Sequence, residues 1–184
     1  MRAGATPARR VPLHPRRAYC HLVPVPEDVP AEFVRALRSL RTVVVRPEVV
    51  LDEVPGPARI APYSAALTAE VRTARRSVDA DELASGRFRL VTLVRTAVEP
   101  EVGSDPLLAE VAWSWFTDAL AAAGPGAHAA AGTVTRVLSQ SFGSLERRDE
   151  SSELEIRASW TADDENLGPH LEAWTALLCT AAGL

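Results

Sequence analysis

One segment near the carboxyl end of the chain alternates so regularly that it limits the folds open to the whole chain. Between residues 153 and 161, every second side chain is apolar: Leu154, Ile156, Ala158 and Trp160 alternate with Glu153, Glu155, Arg157 and Ser159. Successive side chains of a β-strand point to opposite sides of the sheet. This segment is therefore predicted to be a strand with one buried and one solvated face, which is typical of antiparallel sheets.

The remaining periodicity predicts three helices and four further strands. In chain order they are helix 30–41, strands 48–54, 64–73 and 87–98, helix 104–123, strand 132–142 and helix 166–182. Ser104 or Asp105 is predicted to cap the central helix and Gly124 to end it. The charged stretch 75–86 is predicted to be a loop or a brief helical turn, and a Gly- and Ala-rich loop is predicted around His128. The predicted fold class is α+β, with an antiparallel sheet of about five strands, helices packed on one face, and the order α-β-β-β-α-β-β-α.

The charge of the chain is unevenly distributed. Residues 1–26 hold five Arg, five Pro and no acidic residue, whereas the remainder has 15 Arg against 24 acidic residues, a formal charge of −9. Such a cationic, Pro-rich segment buries too little apolar surface to offset its ordering entropy. Residues 1–29 are predicted to be a disordered tail and residues 30–184 a single domain. The tail is interpreted either as a solvated segment or as an arm for nucleic acid or an acidic partner, with phosphate contacts from Arg9, Arg10, Arg16 and Arg17.

Residues that carry chemistry are few and scattered. Cys20 and Cys179 lie too far apart in sequence to indicate a disulfide framework or a paired-thiol metal site. Cys179 is predicted to be a small core residue, and His170 a surface or capping residue. The acidic run 163–165 is predicted to cap the last helix. The sequence predicts no catalytic residue, no metal site and no cofactor.

The central helix has two apolar sides. One side is predicted to be buried and consists of Leu108, Val111, Ala112, Trp115, Ala119 and Ala122, widened by Phe116 and Leu120. The Trp of strand 153–161 and the Trp of the last helix are predicted to be buried as well. Trp113 points away from that side, because successive helical positions turn by 100°. With Phe116 and Leu120, it is predicted to form a second face suited to a subunit interface or a ligand groove. The candidate interface or ligand residues are therefore Trp113, Phe116, Leu120, Trp115, Trp160 and Trp174.

Two resemblances add to this interpretation. The order of elements resembles the small, dimeric α+β fold of secretion chaperones. Several segments also resemble, in the same order, the signatures of an actinobacterial family catalogued as domain of unknown function 3000. These are RIAPY at 59–63, DPLLAEVAWSW at 105–115, GTVT at 132–135, LEIRASWT at 154–161 and LLCTAAGL at 177–184. This second resemblance covers about residues 31–184 and implies no activity, cofactor or catalytic residue.

Three hypotheses about function follow. The first is a non-catalytic binding or assembly module that acts as a homodimer and has an unknown protein partner. The second is a small-molecule-binding protein or enzyme with a Trp-lined pocket between sheet and helices, and the third is a nucleic-acid-associated protein that uses the Arg-rich tail. A cytoplasmic location is predicted, because no run approaches the roughly 18 apolar residues of a membrane span and no apolar stretch follows the cationic start.

Overall fold

The computed structural model describes residues 29–57, 61–72, 77–85, 88–124, 126–147 and 149–184. In chain order, the elements are α1 (Ala31–Leu40), β1 (Val49–Val54), β2 (Ser64–Arg72), β3 (Ser77–Ser85), β4 (Arg89–Val98), α2 (Pro100–Ser104), α3 (Leu108–Ala123), β5 (Ala127–Ser139), a 3-10 turn (Gly143–Leu145), β6 (Ser151–Ala162) and α4 (Gly168–Ala181). The predicted tail lies outside the described residues except for its last position, Val29. The predicted α+β class is confirmed.

The strands form an antiparallel sheet in the order β1-β2-β3-β4-β6-β5. Strand β3 joins a two-stranded part, β1 and β2, to a three-stranded part in which β6 lies between β4 and β5. The alternating segment that was most informative in the sequence, β6, is therefore an interior strand, the middle one of the three-stranded part. Strand β5, which comes before it in the chain, lies at the edge of the sheet.

Strand β3 shows that the prediction of a loop or helical turn over residues 75–86 is wrong. The segment contains Asp79, Asp81 and Glu82 among small residues, a composition with low β propensity. It nevertheless pairs with β2 on one side and with β4 on the other. Because ladder hydrogen bonds on both sides satisfy its backbone groups, the neighbouring strands impose a conformation that the local sequence disfavours.

The two faces of the sheet have different surroundings. On one face, Leu90 of β4 lies opposite Trp160 of β6, Val94 lies opposite Ile156, and all four side chains are buried. Helix α3 covers this face through Phe116, whose ring centroid is 5.4 Å from that of Trp160. Helix α4 covers it through hydrogen bonds described below. The opposite face is solvated, as the alternation in β6 predicted.

An ionic group connects the two central strands on the solvated face. Glu155 of β6 accepts a hydrogen bond from Arg95 of β4 at 2.8 Å and another from Arg157 of its own strand at 2.6 Å. The hydrogen bond from Arg95 is the largest cause of the lowered pKa of Glu155, while partial burial opposes it and Arg157 adds to it. Because both guanidinium groups are exposed, this group contributes little to stability.

Helix α4 is apolar on nearly all sides, and ten of its 14 residues are buried. The prediction that the acidic run 163–165 caps this helix is wrong, because no side chain caps it. Instead, Ser39 of α1 accepts the backbone N–H of Leu167 at 2.8 Å, and Glu165 accepts a hydrogen bond from Arg35 of α1 at 2.6 Å. These bonds attach the first helix of the fold to the last one.

The central helix begins later, and the following strand earlier, than predicted. The separate short helix α2 precedes α3, and Asp105 accepts the N–H of Leu107 at 2.8 Å in the turn between them, so Asp105 does not cap α3 directly. Gly124 ends α3 in a left-handed conformation with φ 62°, as predicted. The predicted loop around His128 is instead the start of β5, and a register shift between His128 and Ala131 interrupts its pairing with β6.

Candidate functional site

Three of the six candidate residues form one stack of rings. The ring centroids of Trp113 and Phe116 are 5.0 Å apart, and those of Phe116 and Trp160 are 5.4 Å apart. Phe116 and Trp160 are buried, whereas Trp113 is half-buried at the outer end of the stack. The stack therefore runs from the central strand β6 to the outer flank of α3. Of the other candidates, Trp174 is buried, and Trp115 and Leu120 are half-buried.

The buried side of α3 agrees with the predicted one only in part: Leu108 and Ala112 of the predicted stripe are buried, but Val111 is not. Leu108, Ala112 and Phe116 are buried, whereas Val111 is exposed and Trp115 is half-buried. The buried residues recur at intervals of four, which places them on one side of the helix. Periodicity could not choose this side, because the flanks on both sides of it are also apolar.

The indole N–H groups of both buried Trp are used inside the protein. Trp160 donates to Nδ1 of His170 at 2.9 Å, and Trp174 donates to Oγ1 of Thr92 at 2.8 Å. These two hydrogen bonds join α4 to the central strands β6 and β4. A buried indole that has its hydrogen-bond partner is a structural element of the core.

His170 is buried, with 2% of its surface exposed, so its prediction as a surface or capping residue is wrong. Its Nδ1 accepts the Trp160 N–H and therefore carries no proton in this arrangement. Burial lowers the pKa of His170, while the nearby carboxylates of Asp164 and Asp163 oppose that shift. The imidazole is held neutral as a hydrogen-bond acceptor in the core.

Cys179 is a core residue, as predicted, with 3% of its surface exposed. Burial is the largest cause of the raised pKa of its thiol; Arg46 opposes the shift and Glu48 adds to it. Because the thiolate is the nucleophilic form of cysteine, this environment keeps Cys179 unreactive at neutral pH.

The crevice between sheet and helices that corresponds to the predicted pocket is closed. It is lined by four of the candidate residues and two residues of α4, namely Phe116, Leu120, Trp160, Trp174, Ala173 and Leu177. The volume in it that a water-sized sphere can occupy is about 0 Å³. These side chains therefore pack against one another and do not enclose a ligand space in this structure.

Strand β5 is the most accessible part of the candidate region. Eleven of its 13 residues pair with β6 along one edge, and among the described strands none pairs with its other edge. Trp113 lies directly on its backbone at Gly132, where a Cβ atom would be 2.7 Å from Cζ3 of the indole. The glycine therefore permits the close approach of helix α3 to the edge strand.

Arg89 fixes the irregular end of this edge strand. From β4, its guanidinium group donates to Ser159 Oγ at 2.6 Å and Thr161 Oγ1 at 3.1 Å on β6, and to the carbonyl oxygen of Ala129 on β5 at 2.9 Å. Ala129 has φ 53°, a conformation that residues other than glycine rarely adopt. A side chain from two strands away thus holds the bulge of β5 in place.

The other end of β5 meets helices α2 and α3. Arg136 donates to the carbonyl oxygens of Gly103 and Asp105. A Cβ atom added to Gly103 would lie 3.3 Å from Cδ2 of Leu138. We call the exposed surface here the α2–α3 corner. It consists of Val102, Leu107, Val111 and Leu138, exposed by 46, 59, 44 and 57%, and of the exposed acidic residues Glu101, Asp105 and Glu110.

Replacing Ser152, which lies beneath this corner, with Ala is expected to raise the free energy of unfolding by about 1 kcal/mol. Ser152 is 3% exposed, and its Oγ has no hydrogen-bond partner within the described part of the chain. An unsatisfied buried hydroxyl is costly, whereas a methyl group fits the same space. Chemical denaturation measures the change.

The control is Thr96→Val. This variant removes a hydroxyl group that donates a hydrogen bond to the carbonyl oxygen of Ala181 at 3.2 Å, so it is expected to lower the free energy of unfolding. A loss of stability in Ser152→Ala would contradict the assignment.

The model of a family described as a protein of unknown function, DUF3000, matches residues 29–184. The chain belongs to this family. The DUF3000 match covers every element described above, and its first residue is also the first described residue. No curated protein and no solved structure matches the chain, so the likeness in element order to secretion chaperones stays a prediction.

The remaining predicted features can be placed relative to the DUF3000 region. Arg9, Arg10, Arg16 and Arg17 precede it and lie outside the described residues. Within the described ranges, no three His, Cys, Asp or Glu side chains are grouped so that they could hold a metal ion. Of the helices described, none has the length and apolar character needed to cross a membrane.

Sequence reasoning missed two features of the DUF3000 region. The edge position of β5 depends on strand order, which periodicity does not encode. The α2–α3 corner was missed because Val111 fits a helical apolar stripe and was assigned to the core. A signal for the corner does exist in the sequence: residues 96–135 contain five acidic residues and no Arg or Lys, an imbalance that marks a solvated, anionic surface.

Proposed function

We propose that the protein is a non-catalytic binding or assembly module that acts as a homodimer, formed by pairing of two β5 strands. The observation that carries this proposal is the edge of β5, whose 13 residues have no partner on their outer side among the described strands. A long edge of this kind presents backbone donors and acceptors to another chain.

The two edges of the sheet differ in how they are protected. Strand β1 has six residues, carries Asp52 and Glu53, and is followed at once by Pro55, all features that discourage strand addition. Strand β5 is twice as long, contains no proline, and is rich in Thr and Val between residues 133 and 137. Its Arg136 is turned towards the carbonyls of Gly103 and Asp105. The β5 edge therefore lacks the protection that the β1 edge has.

The geometry of β5 limits how two copies can pair. The bulge between His128 and Ala131 interrupts the regular strand at one end. An antiparallel pair centred on Val134 uses residues 132–136 of both copies and places Thr133 of one copy opposite Thr135 of the other. The twofold axis is then perpendicular to the sheet, so both α3 helices lie on the same face. Each half-buried Trp113 would lie close to the new junction, above Gly132.

The other groups considered for chemistry support a structural role. The indole nitrogens of Trp160 and Trp174 are hydrogen-bonded in the core, and His170 is the acceptor for one of them. The thiol of Cys179 is buried and protonated at neutral pH. Its free state agrees with the reducing cytoplasm, which we propose as the location of the module.

Light scattering after size-exclusion chromatography tests the proposal. We expect the wild-type protein to have twice the chain mass of 19.8 kDa at micromolar concentration. The double variant Thr133→Lys/Thr135→Lys places like charges opposite each other across the proposed junction, which destabilises a strand pair. We expect the dimer dissociation constant to rise at least about tenfold, which corresponds to about 1.4 kcal/mol.

The matched control is Ala97→Lys, which adds a charge at an exposed position of the same sheet face on β4, opposite Glu153 of β6. We expect this control to leave the dimer intact, and thermal unfolding verifies that all variants are folded. A monomeric wild-type protein, or a dimer that the double variant does not weaken, would contradict pairing through β5.

A further inference from the structure

We propose that the chain's own amino-terminal segment, residues 1–26, binds to the α2–α3 corner. This inference does not rest on the homodimer, since the corner lies beyond residues 132–136 that the proposed strand pairing uses. The segment would cover a surface that the folded domain leaves exposed.

The corner combines two properties that rarely occur together on an unoccupied surface. Four aliphatic side chains from α2, α3 and β5 are each at least 44% exposed, and they lie around the turn that Arg136 holds. Exposed aliphatic groups that cluster mark interaction sites. Carboxylates are interspersed among them: Glu101 precedes Val102, Asp105 lies two positions before Leu107, and Glu110 precedes Val111.

The charge of the corner determines what can bind there. Glu101, Asp105 and Glu110 are exposed at the corner, and Arg136, which donates to the carbonyl oxygens of Gly103 and Asp105, offsets only one of their three negative charges. A second copy of the same corner would bring carboxylates against carboxylates, which electrostatic complementarity disfavours. The occupant must therefore carry positive charge together with aliphatic groups.

Residues 1–26 have this composition. They contain five Arg and no acidic residue, and Val11, Leu13, Leu22 and Val23 lie between or after the arginines. Arginine pairs with carboxylates bidentately, and its stem also packs on apolar surface.

The segment is also long enough to reach the corner. Residue 29 precedes α1, and 28 residues in extended form span about 90 Å. A domain of about 155 residues has a radius of gyration of about 15 Å. The segment can therefore reach any point on the surface of its own domain, and attachment gives it a high effective concentration there.

A paramagnetic label on the full-length chain tests this binding. Cys20 lies within the segment, whereas Cys179 is only 3% exposed, so a nitroxide reagent modifies Cys20 in the folded protein. We expect the label to attenuate amide NMR signals of residues 101–111 at least threefold more than signals elsewhere in the domain. In 0.5 M NaCl, where charges are screened within a few ångströms, we expect this difference to disappear.

Charge variants separate specific binding from general attraction. Glu101→Gln/Glu110→Gln removes two charges at the corner, and Asp52→Asn/Glu172→Gln removes two from exposed positions on β1 and α4. We expect the first pair to abolish the local attenuation and the second to preserve it. Attenuation that is absent, uniform over the domain, or equally reduced by both pairs would overturn the proposal.

A mixed sample identifies the source of the segment. Nitroxide-labelled chains without nitrogen-15 are mixed with unlabelled chains that contain nitrogen-15. Attenuation at the corner in this sample would show binding by another copy and overturn binding by the chain's own segment. If light scattering shows a monomer, the β5 pairing fails, while the attenuation pattern still decides the present inference.

Discussion

Replacing Gly132 with Ala is expected to lower the free energy of unfolding by about 2–3 kcal/mol. A Cβ at this position would overlap the carbonyl oxygen of Arg157 on β6, and would lie 2.7 Å from Trp113 Cζ3 and 3.0 Å from Ala158 Cα. Two of these three contacts are backbone atoms of the neighbouring strand, which cannot rotate away. The β5–β6 ladder must therefore shift, and urea denaturation monitored by Trp fluorescence measures the cost.

Two further variants separate the sources of this effect. In Gly143→Ala, nothing lies within 4 Å of the new Cβ, but φ is 63°, so only the backbone conformation is penalised, by about 1 kcal/mol. Adding Trp113→Phe to Gly132→Ala relieves the contact with the ring and leaves the contacts with β6. We expect this addition to recover a minor part of the loss. A stability for Gly132→Ala equal to wild type would show that α3 does not lie on β5 as described.

The stability of the wild-type protein is expected to fall as the pH drops below about 6.5. Burial lowers the pKa of His170 in the folded state below the ordinary histidine value of about 6.5, with Asp164 and Asp163 opposing the shift. Below pH 6.5, the unfolded chain consequently binds more protons at this site than the folded chain. The contribution is fully present above that pH and decreases by up to about 1.4 kcal/mol per pH unit until the folded-state pKa is reached.

Denaturation curves between pH 7.5 and 5 check this expectation in two variants. In His170→Asn, a non-titrating amide oxygen replaces Nδ1 as the acceptor for Trp160, so we expect a shallower loss in acid. In Thr92→Val, the acceptor for Trp174 is removed, and this acceptor does not titrate. We expect a constant loss of about 1 kcal/mol at every pH and an unchanged slope. Equal slopes for wild type and His170→Asn would refute the role of His170.

Elements with strong, one-sided patterns could be predicted from the sequence. The alternation in β6, the presence of strand β2 and the stop of α3 at Gly124 are each confirmed, because each depends on local periodicity or local backbone conformation. Strand β3 could not be predicted, since its conformation depends on pairing with β2 and β4 and not on its own residues. The start of β5 was missed for a related reason: an alanine-rich segment becomes a strand here because β6 and Arg89 hold it.

The candidate site was predictable in its residue types and less so in their arrangement. Trp113 is half-buried, as a position off the predicted stripe allows, but Trp115, which was predicted to be buried, is half-buried as well. The burial of Phe116 and the exposure of Val111 depend on how α3 is rotated about its axis, a property that the sequence of one helix does not determine. His170 illustrates the same limit, since its burial follows from a partner, Trp160, on another element.

The attachment of α1 to α4 has a consequence for how the protein is made. Ser39 and Leu167 are 128 residues apart, and Arg35 and Glu165 are 130 apart. On the ribosome, the first helix of the domain emerges long before the helix on which it packs has been synthesised. The native fold of this domain therefore closes only after α4 has been synthesised, and a chain that ends before α4 leaves both α1 and the covered face of the sheet exposed to chaperones and proteases.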